Sequence, residues 1–248
     1  MKFISYGNSS NKTLLFIHGL ASTYDLCFGD LIPYFQDYQI IFCVLDGHYF
    51  DDYKDMISLK DNIDRIENYI IEELGAKVYC ICGFSMGATI AVELVGRGNI
   101  EVNKLYLDAA IILNIGWLAP ILTRAFSLGT SLVKNNISYS KYFVNMFMGK
   151  DNNSVIEMMY PKITKKTIKN ACKYLYHYKI PQNLKYYSKP VLFCRGSQEP
   201  IPRISAKKLE EYFPQMEVQV FEGMGHGQFL HEYPQEYAEN LRIFLNEE

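Results

Sequence analysis

A single hydroxyl stands at residue 85, within the run CICGFSMGATIAVEL that covers residues 80–94. Glycines lie two positions to either side of it, Gly83 and Gly87, and Ala88 keeps the next side chain small. A serine oxygen is a weak nucleophile near neutral pH until a base takes its proton and a third group orients that base. Of the five histidines, His226 fits the base best. It lies in FEGMGHGQFLHEYP, a glycine-rich loop behind an apolar run, from which it can reach the edge of a sheet. His18, His48, His177 and His231 read as packing or surface residues, although His48 follows LDG near the same edge and could line a pocket.

The base needs a carboxylate to fix its tautomer and stabilise its charged form. Glu199 in GSQEP and Asp108 in YLDAA each follow an apolar run and precede His226, so either gives the chain order serine, acid, histidine. Glu199 is preferred because its run directly precedes the one that ends at the His226 loop. Asp108 remains the alternative acid, with a turn or capping role as its competing use. The developing oxyanion needs two donors. By position these are the backbone N–H of Met86, next to the serine, and that of Leu20 in FIHGLAS.

A rigid platform must hold these groups on one surface. Six short apolar runs read as buried strands: residues 14–19, 40–47, 77–83, 104–110, 190–196 and 216–223. Helical spacing alternates with them at residues 58–74, where Ser58 followed by Asp61 marks the start, after Ser85 as far as Gly96, and at 234–245. Residues 22–35 also show helix-like spacing, weakened by Gly29 and Pro33. The pattern predicts an α/β fold with a mostly parallel central sheet and helices on both faces. A strand turning sharply into a helix forces the serine into a strained backbone, so the residues two positions away must lack side chains. The helix beginning at Met86 then directs free N–H groups and its positive dipole end at the same spot.

The alternation breaks after Asp108. The sequence therefore predicts an α/β core of residues 1–110 and 188–248 interrupted by a helical cap at 111–187, with helices near 118–133 and 164–178. WLAPILTRAF and YFVNMFM in this stretch either line an apolar pocket or pack the cap onto the core. Lys162, Lys165, Lys166, Lys169 and Lys173 form the wet face of an amphipathic helix, with Ile168, Cys172 and Leu175 inward.

Composition excludes several classes. The chain has 248 residues, 49% hydrophobic and 21% charged, enough for a packed core, and its net charge of -2 offers no basic footprint for nucleic acid. The N-terminus lacks the apolar stretch of a secretory signal, and AAIILNIGWLAPIL (109–122) is too short and too interrupted to span a bilayer. No stable membrane insertion is expected. None of the six cysteines has metal-ligand spacing, and four lie inside apolar runs, which suits a reducing, cytoplasmic location.

As a set, LLFIHGLAS, GFSMG, RGSQEP and GMGHGQFLHEYPQEYAENLRIFL resemble the successive landmarks of the α/β-hydrolase superfamily, in its lid-bearing, esterase-like branch. The resemblance implies Ser85 as nucleophile, His226 as base, Glu199 where the family usually carries Asp, and Leu20 and Met86 as oxyanion donors. It implies acyl transfer on a small-molecule ester, without metal or organic cofactor. Members with an aspartate nucleophile, such as haloalkane dehalogenases and epoxide hydrolases, are disfavoured by the serine. Thioesterases, C–C bond hydrolases, cofactor-free peroxidases and non-enzymatic small-molecule sensors of this fold share the same landmarks.

Overall fold

Successive residues of a strand face opposite sides of a sheet, and in this chain both sides are apolar. The structure, a computed structural model, describes residues 1–49, 54–135, 144–145, 148–150 and 152–247. Its strands are β1 (Lys2–Tyr6), β2 (Thr13–Ile17), β3 (Gln39–Val44), β4 (Lys77–Phe84), β5 (Glu101–Asp108), β6 (Val191–Gly196) and β7 (Met216–Phe221). Leu15, Ile17, Ile41, Cys43 and Ile81 point into one core layer, while Leu14, Phe16, Ile40, Phe42, Cys80 and Cys82 point into the other. A sheet buried on both faces needs continuous apolar strands, which is why these runs do not alternate with polar residues.

The strands form one sheet in the order β1-β3-β2-β4-β5-β6-β7. All pairs are parallel except β1 with β3, which is antiparallel. The edge strand β1 is not foreseen from sequence, since KFISY is only half-buried and carries no clear apolar run. The first layer is covered by α1 (Leu59–Glu73) and α2 (Met86–Arg97), the second by Phe28, Phe35 and the last helix, Pro234–Asn246. In α1, Leu59, Ile63, Ile66 and Ile70 form the buried stripe. Ser58 stands immediately before α1, at the start that the sequence marks. Ser58 makes no side-chain cap, and Asp61 instead pairs with Arg65 across 2.7 Å. The helix-like stretch after β2 is broken into a short turn of helix at Tyr24–Phe28, capped by the Thr23 hydroxyl, and a 3₁₀ segment at Gly29–Phe35. Pro33 lacks an N–H and cannot continue regular helical bonding there.

Between β5 and β6 the described residues hold no strand, only an isolated bridge from Asn114 to His177. They hold α3 (Ala119–Lys134), a short turn at Ser154–Glu157 and α4 (Lys165–Leu175). On α4, Ile168, Cys172 and Leu175 are buried and Lys165, Lys166, Lys169 and Lys173 are exposed. Of YFVNMFM, residues 142, 143, 146 and 147 lie outside the described residues. No described helix is long and apolar enough to cross a membrane, and all six cysteines are buried free thiols. Among the described residues no cluster of His, Cys, Asp or Glu could hold a metal ion.

The sheet order reverses between β2 and β4, so the turns that follow these two strands face each other across a crevice. The register sets Ile17 beside Gly83, Phe84 beside Asp108, Asp108 beside Cys194 and Gly196 beside Phe221, which levels the strand ends carrying the candidate residues.

Candidate active site

Ser85 joins β4 to α2 with φ 55° and ψ −113°, a conformation that costs a non-glycine residue on the order of 1–3 kcal/mol. Tight packing around the turn enforces it. A Cβ on Gly87 would lie 1.8 Å from the Ile17 carbonyl oxygen, and one on Gly83 would lie 2.5 Å from the Ala88 Cα. Only glycine therefore lets α2 start against the ends of β2 and β4. The Ser85 N–H donates to the Asp108 carbonyl across 2.8 Å, tying the strained residue to β5. Its side chain is 9% exposed.

The His226 Nε2 lies 3.0 Å from Ser85 Oγ, and its Nδ1 lies 2.6 Å from Glu199 Oε1. A carboxylate can only accept, so Nδ1 carries the ring proton and Nε2 presents its lone pair to the serine hydroxyl. Glu199 is buried, and its second oxygen takes the backbone N–H of Gly196. That bond holds the longer Glu side chain against the end of β6. The His226 ring packs on Phe84, with centroids 4.8 Å apart. The His226 backbone N–H donates to the Met148 carbonyl at 2.7 Å, and its backbone C=O accepts from the Asn152 amide at 2.9 Å. Residues from the segment between β5 and β6 therefore hold the histidine loop from both sides. Nothing in the sequence spacing links residues 148 and 152 to residue 226.

Asp108 is buried but makes no hydrogen bond to His226 among the described residues. Burial, then the neighbouring Glu199, pushes its carboxyl well above the usual carboxylate range, against a hydrogen bond with Tyr237 that pulls the other way. Leu20 and Met86 both line the cavity in front of Ser85, and neither backbone N–H bonds to another described residue. Met86 is the first residue of α2, where an N–H has no partner within the helix.

The four other histidines are placed elsewhere. His177 makes the bridge to Asn114, and His231 lies 3.5 Å from Glu157. His18 and His48 are wholly buried, with ring centroids 5.1 Å apart, beneath the turn that carries Leu20. His18 Nδ1 contacts the Gly19 carbonyl at 2.9 Å and its Nε2 accepts the Leu45 N–H at 3.3 Å. Burial and the neighbouring His48 hold His18 down at about 3, and burial holds His48 at about 4. Their placement at strand ends is visible in the sequence; their partners, 27 residues away in each direction, are not.

The crevice opens into a cavity of about 150 Å³. Leu113, Leu122, Phe126, Val133, Met158 and Leu175 are among its walls, so α3 and α4 contribute to it. The described residues that line it include no lysine or arginine.

The chain matches the family model described as alpha/beta hydrolase fold over residues 12–233. Its structure superposes on an alpha/beta hydrolase family protein from Desulfitobacterium hafniense with a TM-score of 0.87 at 23% identity, covering 99% of this chain and 100% of that one. Carboxylesterase from Nitrososphaera gargenis is similar with a TM-score of 0.76 at 18% identity, covering 98% and 93%. A lipase-esterase related protein from Clostridium acetobutylicum gives 0.72 at 19%, covering 98% of each chain. No curated protein matches the sequence. A family match over most of the chain, on a sheet that carries a strained serine at its reversal point, makes this chain a member of the alpha/beta hydrolase fold family.

Proposed function

We propose that the chain is a serine hydrolase that cleaves a small to medium, largely apolar carboxylic ester through an acyl-enzyme intermediate. The observation that carries this reading is the unbroken line from Ser85 Oγ through His226 to Glu199, at 3.0 and 2.6 Å, at the wall of an apolar cavity.

The chemistry follows from the geometry. The Ser85 hydroxyl gives its proton to His226 Nε2 as its oxygen attacks the ester carbonyl. The imidazolium that forms is stabilised by Glu199, which keeps Nδ1–H as the shared proton. The carbonyl oxygen becomes an oxyanion facing the Leu20 and Met86 N–H groups. His226 then protonates the departing alcohol, and a water activated by the same ring releases the acid from Ser85. Glu199 contacts His226 Nδ1 and Asp108 does not among the described residues, which favours Glu199 as the acid.

The cavity favours the ester reading over its relatives. The described walls carry no lysine or arginine to pair with an anionic head group, so the acyl part is held mainly by apolar contact, with the Ser22 and Tyr176 hydroxyls as polar neighbours. The test is reaction with a fluorophosphonate probe and mapping of the modified residue, together with turnover of p-nitrophenyl esters. Labelling at Ser85, with hydrolysis abolished in Ser85→Ala, is expected. A wild-type protein that binds esters, changes conformation and neither turns over nor labels would be a sensor instead.

A further inference from the structure

The turn after β2 contains a residue whose conformation needs holding. Ala21 has φ 64°, in the left-handed region that a residue with a Cβ seldom adopts. Its peptide groups are gripped from two directions. Its C=O accepts the Tyr160 N–H at 2.8 Å, and its N–H donates to His48 Nε2 at 3.2 Å. The other ring nitrogen, Nδ1, lies 2.9 Å from the Asp46 carbonyl, which can only accept. The proton of His48 is therefore on Nδ1 and the lone pair on Nε2, the tautomer that can receive Ala21. Burial keeps the ring neutral near neutral pH, so this lone pair stays available.

We propose that His48 is a positioning residue for the oxyanion site: by accepting the Ala21 N–H it locks Ala21 in its left-handed turn and keeps the preceding Leu20 N–H directed at Ser85. The inference rests on the serine-hydrolase reading above. A planar trans peptide has no freedom to tilt its N–H independently of its neighbours. The Gly19 C=O, in the same peptide as the Leu20 N–H, is held by His18. The next peptide is held through its N–H by His48. Fixing both units leaves the Leu20 N–H one direction. A core position filled only for packing would be better served by an aliphatic side chain, since a buried imidazole gives up its hydration. Here both of its nitrogens are spent on backbone groups that join the end of β3 to the turn.

Two amides of different reach separate positioning from mere polarity. His48→Gln places an acceptor near the original Nε2 and can still receive Ala21. His48→Asn places its amide near the original Nδ1 and can hold Asp46 but not Ala21. With p-nitrophenyl acetate, the Asn variant should lose roughly ten- to a hundredfold in kcat with KM within about twofold. The Gln variant should recover to within about threefold of wild type. Affinity for a trifluoromethyl ketone, whose adduct with Ser85 carries the oxyanion, should fall in parallel with kcat. Hydrogen exchange at the Ala21 amide, read by NMR without turnover, should be slow in wild type and Gln and fast in Asn. Equal kcat in the two variants, a wild-type kcat in the Asn variant, or an effect confined to KM would overturn the proposal. So would an unprotected Ala21 amide in wild type. Wild-type protein that does not label at Ser85 overturns the hydrolase reading and this one together; a labelled wild type with indistinguishable variants overturns this one alone.

Discussion

At the C-terminal edge of the sheet, Ser85, His226 and Glu199 are bound to one another and to backbone groups by short, directed hydrogen bonds. Across the cavity, Leu122, Phe126, Val133 and Leu175 on α3 and α4 face the same space with no polar group to offer from their side chains. The two walls obey different physics. Directed bonds weaken steeply when misaligned, so the edge tolerates almost no change in residue type. Dispersion and apolar burial are non-directional, so the opposite wall can change shape while the chemistry stays the same. On the proposed reading, reaction type is set at the edge and the size of what reacts is set by α3 and α4.

The comparison breaks most visibly at the acid. Glu199→Gln keeps the shape but removes the charge that stabilises the imidazolium, and it can present the wrong tautomer to Ser85. A loss of about 10³- to 10⁴-fold in kcat is expected. Asp108→Asn changes a carboxyl whose charged form burial already disfavours and which makes no hydrogen bond to His226 among the described residues. Its kcat should stay within about threefold of wild type. The pair of pH–rate profiles measures this directly. A large loss in the Asn variant and a small one in the Gln variant would transfer the acid role to Asp108.

The two walls also differ in how legible they are from sequence. Gly83 and Gly87 announce the serine turn because only a steric requirement explains glycine at both positions, and the structure gives that requirement as 2.5 and 1.8 Å approaches. The strands are legible because a sheet buried on both faces demands uninterrupted apolar runs. β1 fails that signal, being a short edge strand that is only partly buried on either face. The amphipathic pattern of α4 is readable for the same reason as the strands: one face must be dry. What cannot be read is which side chains meet across the fold. The sequence shows His48 at a strand end but not its bond to Ala21, and it shows Asn152 without its bond to the His226 carbonyl. Long-range pairs of single polar groups leave no periodicity behind.

Backbone sterics give the next largest effect at the edge. Gly87→Ala would set a Cβ 1.8 Å from the Ile17 carbonyl, a backbone atom that has nowhere to move without shifting β2. The expected cost is at least about 3 kcal/mol of stability, read as a fall in the urea midpoint, with the Ser85 turn displaced in any protein that still folds. An alanine at Gly98, whose added Cβ meets nothing within 4 Å but whose φ is 72°, should cost less, about 1 kcal/mol. Equal costs at the two positions would mean that left-handed backbone strain, rather than close approach, dominates at glycines in this fold.

Proton linkage tests whether the edge is held by neutral imidazoles. His18 and His48 bind protons in the folded state only at about 3 and about 4, against about 6.5 when unfolded. Between these values the unfolded chain holds more protons, so stability rises with pH. It is complete above about 6.5 and is lost as the pH falls toward the folded values. From pH 6.5 to 5 the two rings together should cost about 3 kcal/mol. That window lies above the range where Asp46 and Asp64, whose carboxyls are held below their ordinary value by partners such as Arg65 and Arg97, begin to lose stabilisation. Urea titrations at half-unit pH steps give the slope, and His48→Gln should remove about half of the rings' contribution to it. Asp108, whose carboxyl is pushed above its ordinary range, contributes a slope of the opposite sign, so the rings' share is read as the difference between wild type and His48→Gln; identical profiles for the two would mean that the ring is not desolvated as the geometry requires.

On the apolar wall the effects should be smaller and selective. Leu122 and Phe126 lie on α3 facing the cavity. Leu122→Trp fills space that a longer acyl chain would occupy, whereas Phe126→Ala opens it. An apolar pocket discriminates by about 1–3 kcal/mol per methylene-sized change in fit. The Trp variant should therefore lose roughly tenfold in kcat/KM on p-nitrophenyl octanoate while acetate hydrolysis stays within about twofold. The Ala variant should shift the preference the other way. Acetate is the control that matters, because its acyl group is the shortest and makes the least demand on the cavity. If acetate turnover fell as far as octanoate turnover in the Trp variant, the two walls would be coupled, most directly through Met148 and Asn152, which hold the His226 loop from the same segment that lines the cavity. The division between a wall that sets the reaction and a wall that sets the size would then have to give way to one in which filling the cavity also sets the base.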